Sequence, residues 1–326
     1  MAIHLMAIGH GATQETGRAD TPAAVAYGGT ILCWLLSAGV YIAAKWVSPE
    51  MPPWTLCFWR LSLACAILLP VVRHHFAEMR DLVSARPFEL AIVGGIGLTL
   101  CQGLIYTGLQ YTSATTAGIV MALCPIFTLV LAHLVLGEAM GMWQVVGAAL
   151  SFAGMLVIVA RGDLAALVHL QLNPGELLVV ISALCWGLYT VLLKRLKFGI
   201  ARLPLLVLLL GMGALIALPL YLWELVNDER STLDTAGMLA LAYVAAPGGA
   251  FMYFLYNWTV ETLGASRAGL FLYLQTAFVA ILAYLILGER LHGYDWAGAA
   301  IIVAGLVCAM ALGPKPAAAQ AAVPKA

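Results

Sequence analysis

Charge is what this sequence has least of. Only 10% of its 326 residues are Asp, Glu, Lys or Arg and 63% are hydrophobic, where soluble domains carry roughly 25% charged residues. Such a chain cannot place most of itself in water. Sixteen basic and sixteen acidic residues cancel and no run of like charges occurs, which excludes a basic face for nucleic acid and a polyacidic partner. No apolar stretch carries a carboxylate in its middle. HExxH, a phosphate-cradling glycine loop and paired intramembrane aspartates are also missing, so metalloprotease, ATPase and intramembrane aspartyl protease chemistry lack their parts. No enzyme, metal or cofactor is expected. The seven cysteines form no CxxC pair and all lie in apolar stretches, where they read as small buried apolar residues.

Long apolar runs are abundant. A helix needs about 20 apolar residues to cross a hydrocarbon core of ~30 Å. Ten stretches qualify, near residues 25–44, 54–72, 88–109, 115–136, 142–160, 176–194, 203–223, 236–260, 268–288 and 295–312. None alternates at period two, so the expected fold is all-α, a membrane protein of ten transmembrane helices rather than a β-barrel. Residues 1–24 lack the basic-then-apolar order of a cleaved signal and read as a cytoplasmic segment; 313–326, rich in Ala, Pro and Lys, read as a disordered cytoplasmic tail. Counted over alternate connections, eleven Lys and Arg fall on the side of the N-terminus and four on the other. The positive excess stays inside, so both termini are expected in the cytoplasm, with the protein in the cytoplasmic (inner) membrane.

The chain also repeats itself. Laying 109–159 on 260–310 at a constant offset of 151 makes sixteen of 51 positions identical. They include Ala117-Gly118 on Ala268-Gly269, Leu136-Gly137-Glu138 on Leu287-Gly288-Glu289, and Gly147-Ala148-Ala149 on Gly298-Ala299-Ala300. Cys33-Trp34 meets Cys185-Trp186 at an offset of 152. The chain therefore divides into two repeats of five helices each, 25–162 and 175–312. An odd number per repeat makes the second enter the membrane from the opposite face, an arrangement that recurs in transporters with a midplane site.

On the paired Leu-Gly-Glu and Ala-Gly motifs, together with Arg60 in the second span and Pro125 in the fourth, the chain resembles the EamA-type branch of the drug/metabolite transporter superfamily over about 25–312. The resemblance implies secondary transport, with an amino acid or similar small metabolite moved outward. It departs at Thr276, which stands where the second repeat would match Pro125, so that half is expected to lack the helix break. The shared-glutamate mechanism of the small multidrug proteins has no residue here to run on.

Several polar residues stand out against the apolar background. Arg60 is the costliest to bury, at ~2.5–3.5 kcal/mol for a helix-centre arginine, so it is expected either to hold a substrate carboxylate or to be a structural arginine that bonds backbone carbonyls or snorkels toward one interface. Gln102 and Tyr106 are four apart and share a helix face; at offset 151 they fall on Tyr253 and Asn257. Such neutral groups can line a site between repeats or serve as interhelical glue. Trp34 and Trp186 lie inside their runs and either stack on an aromatic or cationic solute or pack in the core, whereas Trp46, Trp54, Trp143, Trp223 and Trp296 sit at span ends as an interfacial belt. Tyr273 and Gln275 join the expected substrate-binding set, with Tyr41, Tyr189 and Tyr256 weaker candidates. His133, inside the fourth span near its cytoplasmic end, is either suited to proton coupling or a hydrogen-bonded histidine at the helix end. Glu138 and Glu289 are expected to favour the N-terminus of the helix that comes after each. Small residues at 147–154 and 298–305 predict close packing or a homodimer surface on spans five and ten. The partners expected are a small-molecule substrate and the lipid bilayer. An importer of a vitamin or other small metabolite, and a non-transporting membrane scaffold, are the competing readings.

Overall fold

The computed structural model describes residues 23–137, 141–159, 173–227, 235–263 and 272–311. Each described element is helical. Ten segments match the ten expected stretches: α1 (Ala23–Val47), α2 (Pro53–Leu68), α3 (Pro87–Leu109), α4 (Ala114–Leu136), α5 (Met142–Val159), α6 (Pro174–Leu196) and α7 (Arg202–Asn227). Next come α8 (Thr235–Ala245, Ala246–Phe251, Met252–Leu263), α9 (Leu272–Leu282, Ala283–Leu287) and α10 (Gly293–Ala311). Length and hydropathy alone qualify six of these helices to cross a bilayer, and seven if α2 is joined to the helix that leaves it at 89°. The chain is a multi-pass membrane protein. Its outer surface agrees, since Phe88, Met142, Leu134 and Val226 are all exposed, a display suited to lipid rather than water.

The helix ends obey local sequence. Proline opens α2 and α6, where a missing N–H costs nothing. Asn173 Oδ1 accepts from the Gly175 N–H at 2.8 Å to start α6, and Ser113 Oγ accepts from the Thr116 N–H at 2.9 Å to start α4. Gly137 and Gly288, counterparts in the repeat, close α4 and α9 with φ of 69° and 67°, left-handed values that a side chain would oppose.

Helix partners are exchanged between the halves. α1 packs on α8 and α9, while its counterpart α6 packs on α3 and α4; α2 pairs with its counterpart α7, and α5 with α10. Two interleaved groups result, α1 with α8–α9 and α6 with α3–α4. The small-residue stripes are spent inside the chain. A Cβ at Gly154 would stand 2.8 Å from the Gly298 carbonyl oxygen, and one at Gly305 would stand 2.6 Å from that of Gly147, so α5 and α10 meet backbone to backbone.

Three expectations need correction. Glu289 does not serve the helix after it: its carboxylate accepts from the backbone N–H groups of Ala114 and Thr115 at 2.9 and 3.0 Å, at the start of α4. The first turn of α10 already has an acceptor of its own, Asp295, which takes the His292 N–H at 3.0 Å. Of the cysteines, Cys65, Cys185 and Cys308 are only half-buried, though all seven are free thiols. Trp54 leaves the belt and packs against Gly103, where a Cβ would run into its ring, whereas Trp46, Trp143, Trp223 and Trp296 are exposed. Glu138 and both chain ends, 1–22 and 312–326, lie outside the described residues.

Candidate substrate site

One turn of π-helix interrupts α3 at Gly95–Leu100 and another interrupts α8 at Ala246–Phe251. The two are 151 residues apart. A π turn adds a residue to the helical repeat and rotates the remainder of the helix, and such turns concentrate at functional sites. Both here are glycine-rich, GIGLTL and APGGAF, and each precedes one of the polar pairs singled out in the sequence.

Arg60 of α2 joins them. Its Nη1 donates to Gln102 Oε1 and to the Tyr106 hydroxyl oxygen, both at 2.5 Å. Nη2 donates to the Gly248 carbonyl in the second π turn at 3.3 Å. The Tyr253 ring lies under the guanidinium, 5.7 Å from its carbon to the centroid, a cation–π arrangement. Arg60 is 3% exposed and its Nε has no hydrogen-bond partner. Among the described residues no carboxylate pairs with it and none lines the space around it. The arginine is therefore held by neutral groups from both halves, and its charge is left uncompensated.

That space is a mostly apolar cavity with a few polar groups turned into it, lined by helices of both halves. Trp34 (α1), Arg60 (α2), Gln102 and Tyr106 (α3), Trp186 (α6), Tyr253 (α8) and Gln275 (α9) all line it. Trp34 meets Tyr256 edge to face at 5.8 Å, and Trp186 leans on Tyr189 at 5.3 Å. Seven of the nine expected site residues are thus brought together. The side chains of Asn257, on α8, and Tyr273, on α9, lie outside the described residues. His133 sits in the last turn of α4, exposed and away from the cavity lining.

Sequence reasoning passed over Ser37, Cys101 and Thr276 and ranked Tyr41 and Tyr256 low, yet all five line the cavity. A signal existed for two of them: Ser37 and Tyr41 stand three and seven residues beyond Trp34, on one helix face. Thr276 has a more specific place. α4 breaks at Ala122–Leu123, where the Ala122 N–H bonds Ile119 at 3.0 Å rather than Gly118, four residues back. The Thr276 hydroxyl donates to the Gly118 carbonyl at 3.1 Å. α9 runs unbroken through Thr276, so the residue that replaces proline in one repeat satisfies the break in the other. Among the described residues no group of three or more His, Cys, Asp or Glu side chains could hold a metal ion.

Comparisons with known proteins agree with this architecture. The Bacillus subtilis protein "Uncharacterized transporter YyaM" is 25% identical over 84% of this chain and 90% of its own. The "S-adenosylmethionine uptake transporter" of Rickettsia prowazekii is 24% identical over 83% of this chain and 89% of its own. The "Probable terminal-alkyne amino-acid exporter" of Streptantibioticus cattleyicolor is 26% identical over 67% of this chain and 71% of its own. A solved crystal structure superposes with a TM-score of 0.59 at 20% identity, covering 90% of this chain and 99% of that one, and so shares the fold. The EamA-like transporter family matches residues 25–160 and 173–311, which together span most of the sequence, and the chain belongs to that family.

Proposed function

We propose that this protein is a secondary transporter of the cytoplasmic membrane, both termini inside, that exports a small carboxylate-bearing solute, foremost an amino acid, by alternating access. The observation that carries the reading is Arg60: a buried, uncompensated guanidinium facing a cavity is costly unless an anionic group completes it. One cation suits one carboxylate. A phosphate ester with two or more charges would call for several, and a lone cation would be repelled. The ammonium of a zwitterion finds aromatic faces instead, at Trp34, Trp186 and Tyr256.

Relatives of both directions support the chemistry more than the vector. One is named an amino-acid exporter and another an uptake transporter for S-adenosylmethionine, whose methionine end is itself an amino acid. Helix exchange suggests the moving bodies: α1 with α8–α9, and α6 with α3–α4, rocking about the cavity between them.

The test is flux in membrane vesicles of known orientation, with labelled amino acids, vitamins and aromatic cations, for the parent and for Arg60→Gln, Gln102→Ala and Asn257→Ala. Movement of an amino acid in the export direction, abolished by Arg60→Gln with protein still in the membrane, is the expected result. Movement only inward would favour the importer. A panel that never moves, or variants that match the parent, would leave the polar groups as helix glue and the scaffold reading in place.

A further inference from the structure

Two connections meet at the end of the molecule where α3 begins and α6 ends. After α2 the chain turns by 89° into the short helix Phe76–Ala85, which runs across the direction of the spans. Its Met79 and Leu82 are buried, and it packs on α7. Arg86, just past it, reaches the α6–α7 connection: its Nη1 donates to the Leu196 carbonyl at 2.9 Å, and its guanidinium carbon lies 4.7 Å from the centroid of the Phe198 ring. Phe88, two residues on, is 83% exposed. The two connections thus share one surface.

Their charges differ. In the α2–α3 connection cations come with carboxylates: Arg80 meets Asp81 at 3.6 Å, Arg86 pairs with Glu89, and His75 meets Glu78 at 3.3 Å. The α6–α7 connection carries Lys194, Arg195, Lys197 and Arg202, all exposed, and no Asp or Glu occurs between Glu176 and Glu224. Arg195, Lys197 and Arg202 make no ion pair among the described residues. The repeat offers a comparison within the same chain. At the offset of 152, Lys194, Arg195 and Lys197 fall on Ile42, Ala43 and Lys45. That one cation, at the other end of α3, is spent on the carbonyls of Leu109 and Thr112 at 2.6 and 2.8 Å.

We infer that the α6–α7 connection is a seat for an anionic phospholipid of the leaflet it adjoins, its phosphate held by Arg195, Lys197 and Arg202 and its acyl chains beside the exposed ring of Phe88. Cations that no carboxylate answers, fixed at a bilayer surface, are the complement of a charged headgroup, and each draws an anionic lipid by about a factor of five. A lipid is already held at this depth, whereas a soluble anion has to be drawn from water, which favours the lipid by effective concentration. Orientation by charge counting explains why cations lie on this side. It gives no reason for the protein to respond to the charge of its lipids.

Thermal unfolding of the purified protein in a neutral detergent, titrated with short-chain phosphatidylglycerol, tests the seat. The parent's unfolding temperature should rise and saturate, and the matching phosphatidylcholine should leave it unchanged. Arg195→Gln, Lys197→Gln and Arg202→Gln should each raise the concentration for half the effect by about fivefold, while unfolding with the parent when no lipid is added. Arg80→Gln removes an equal charge from the same end, where Asp81 already answers it, and should leave the titration as it was. An equal response to both lipids would overturn the seat, and so would Arg80→Gln acting as strongly as the other three, which is the mark of a diffuse potential. Glycerol phosphate that raises the temperature as far as the lipid does would overturn the lipid and assign the cations to a soluble phosphate ester. None of these readouts depends on a solute being transported.

Discussion

The hydroxyl of Ser151 donates to the carbonyl of Ile302 at 3.2 Å, and these two residues are each other's counterparts in the repeat. Around them the contacts Gly154 to Gly298 and Gly147 to Gly305 exchange into one another under the same offset. A local two-fold axis therefore passes between α5 and α10 beside Ser151. Its intimacy makes the first prediction. Gly154→Leu should lower the unfolding temperature of the purified protein markedly, since overpacking costs typically ~1–3 kcal/mol and no side chain is free to yield. Gly28→Leu, where a Cβ meets nothing within 4 Å, should leave it unchanged.

Glu224 supplies the second. Its carboxylate, 4% exposed, takes the backbone N–H of Trp54 at 3.1 Å and of Thr55 at 2.6 Å, and the Thr55 hydroxyl at 3.0 Å. Glu224→Ala strands those donors at the start of α2 and should cost about 2–3 kcal/mol. Glu224→Gln keeps one acceptor oxygen and should cost less. Thermal unfolding of the two variants in detergent should rank them in that order.

Arg60→Lys tests whether charge or geometry matters in the cavity. Lysine keeps the cation but has no fork with which to reach Gln102, Tyr106 and Gly248 together. Flux of the proposed carboxylate solute should fall about tenfold or more, as expected for a lost charge-assisted contact of about 1.5–3 kcal/mol. A lysine variant with parental flux would mean that the point charge suffices and the three-way bonding is incidental.

Tyr106→Phe is the milder probe of the same group. It removes the hydroxyl that accepts from Arg60 but leaves the ring, so stability should drop by about 1–2 kcal/mol. Trp186→Ala should instead spare stability relative to affinity, because Trp186 is only partly buried and lines the cavity. The expected signature is a raised half-saturation concentration with little change in maximal flux, read from concentration series in vesicles.

Much of the site was legible because the background is so uniform. Against apolar runs, Arg60, Gln102, Tyr106 and Gln275 are conspicuous, and the offset of 151 by itself ties Gln102 to Tyr253. Thr276 and Cys101 were not legible in the same way, since small polar residues satisfy their own helix backbone so readily that their presence points nowhere. Glu289 misled for a different reason. Nearness in sequence suggested the next helix, whereas the left-handed Gly288 turns the chain and α10 already has Asp295. The π turns carry no periodic signature at all; only their shared register in the two repeats reveals them afterwards.

The seam between α5 and α10 has a consequence for ancestry. A contact that maps onto itself under a two-fold exchange needs only one adhesive surface, used twice, as in an isologous homodimer. Gly147, Ser151 and Gly154 would have sufficed for a single five-helix chain to bind an upside-down copy of itself. Fusion of two copies would then have freed one partner to diverge, and the centre of the molecule records that liberty: Arg60 has no twin, for its counterpart position holds Gly211.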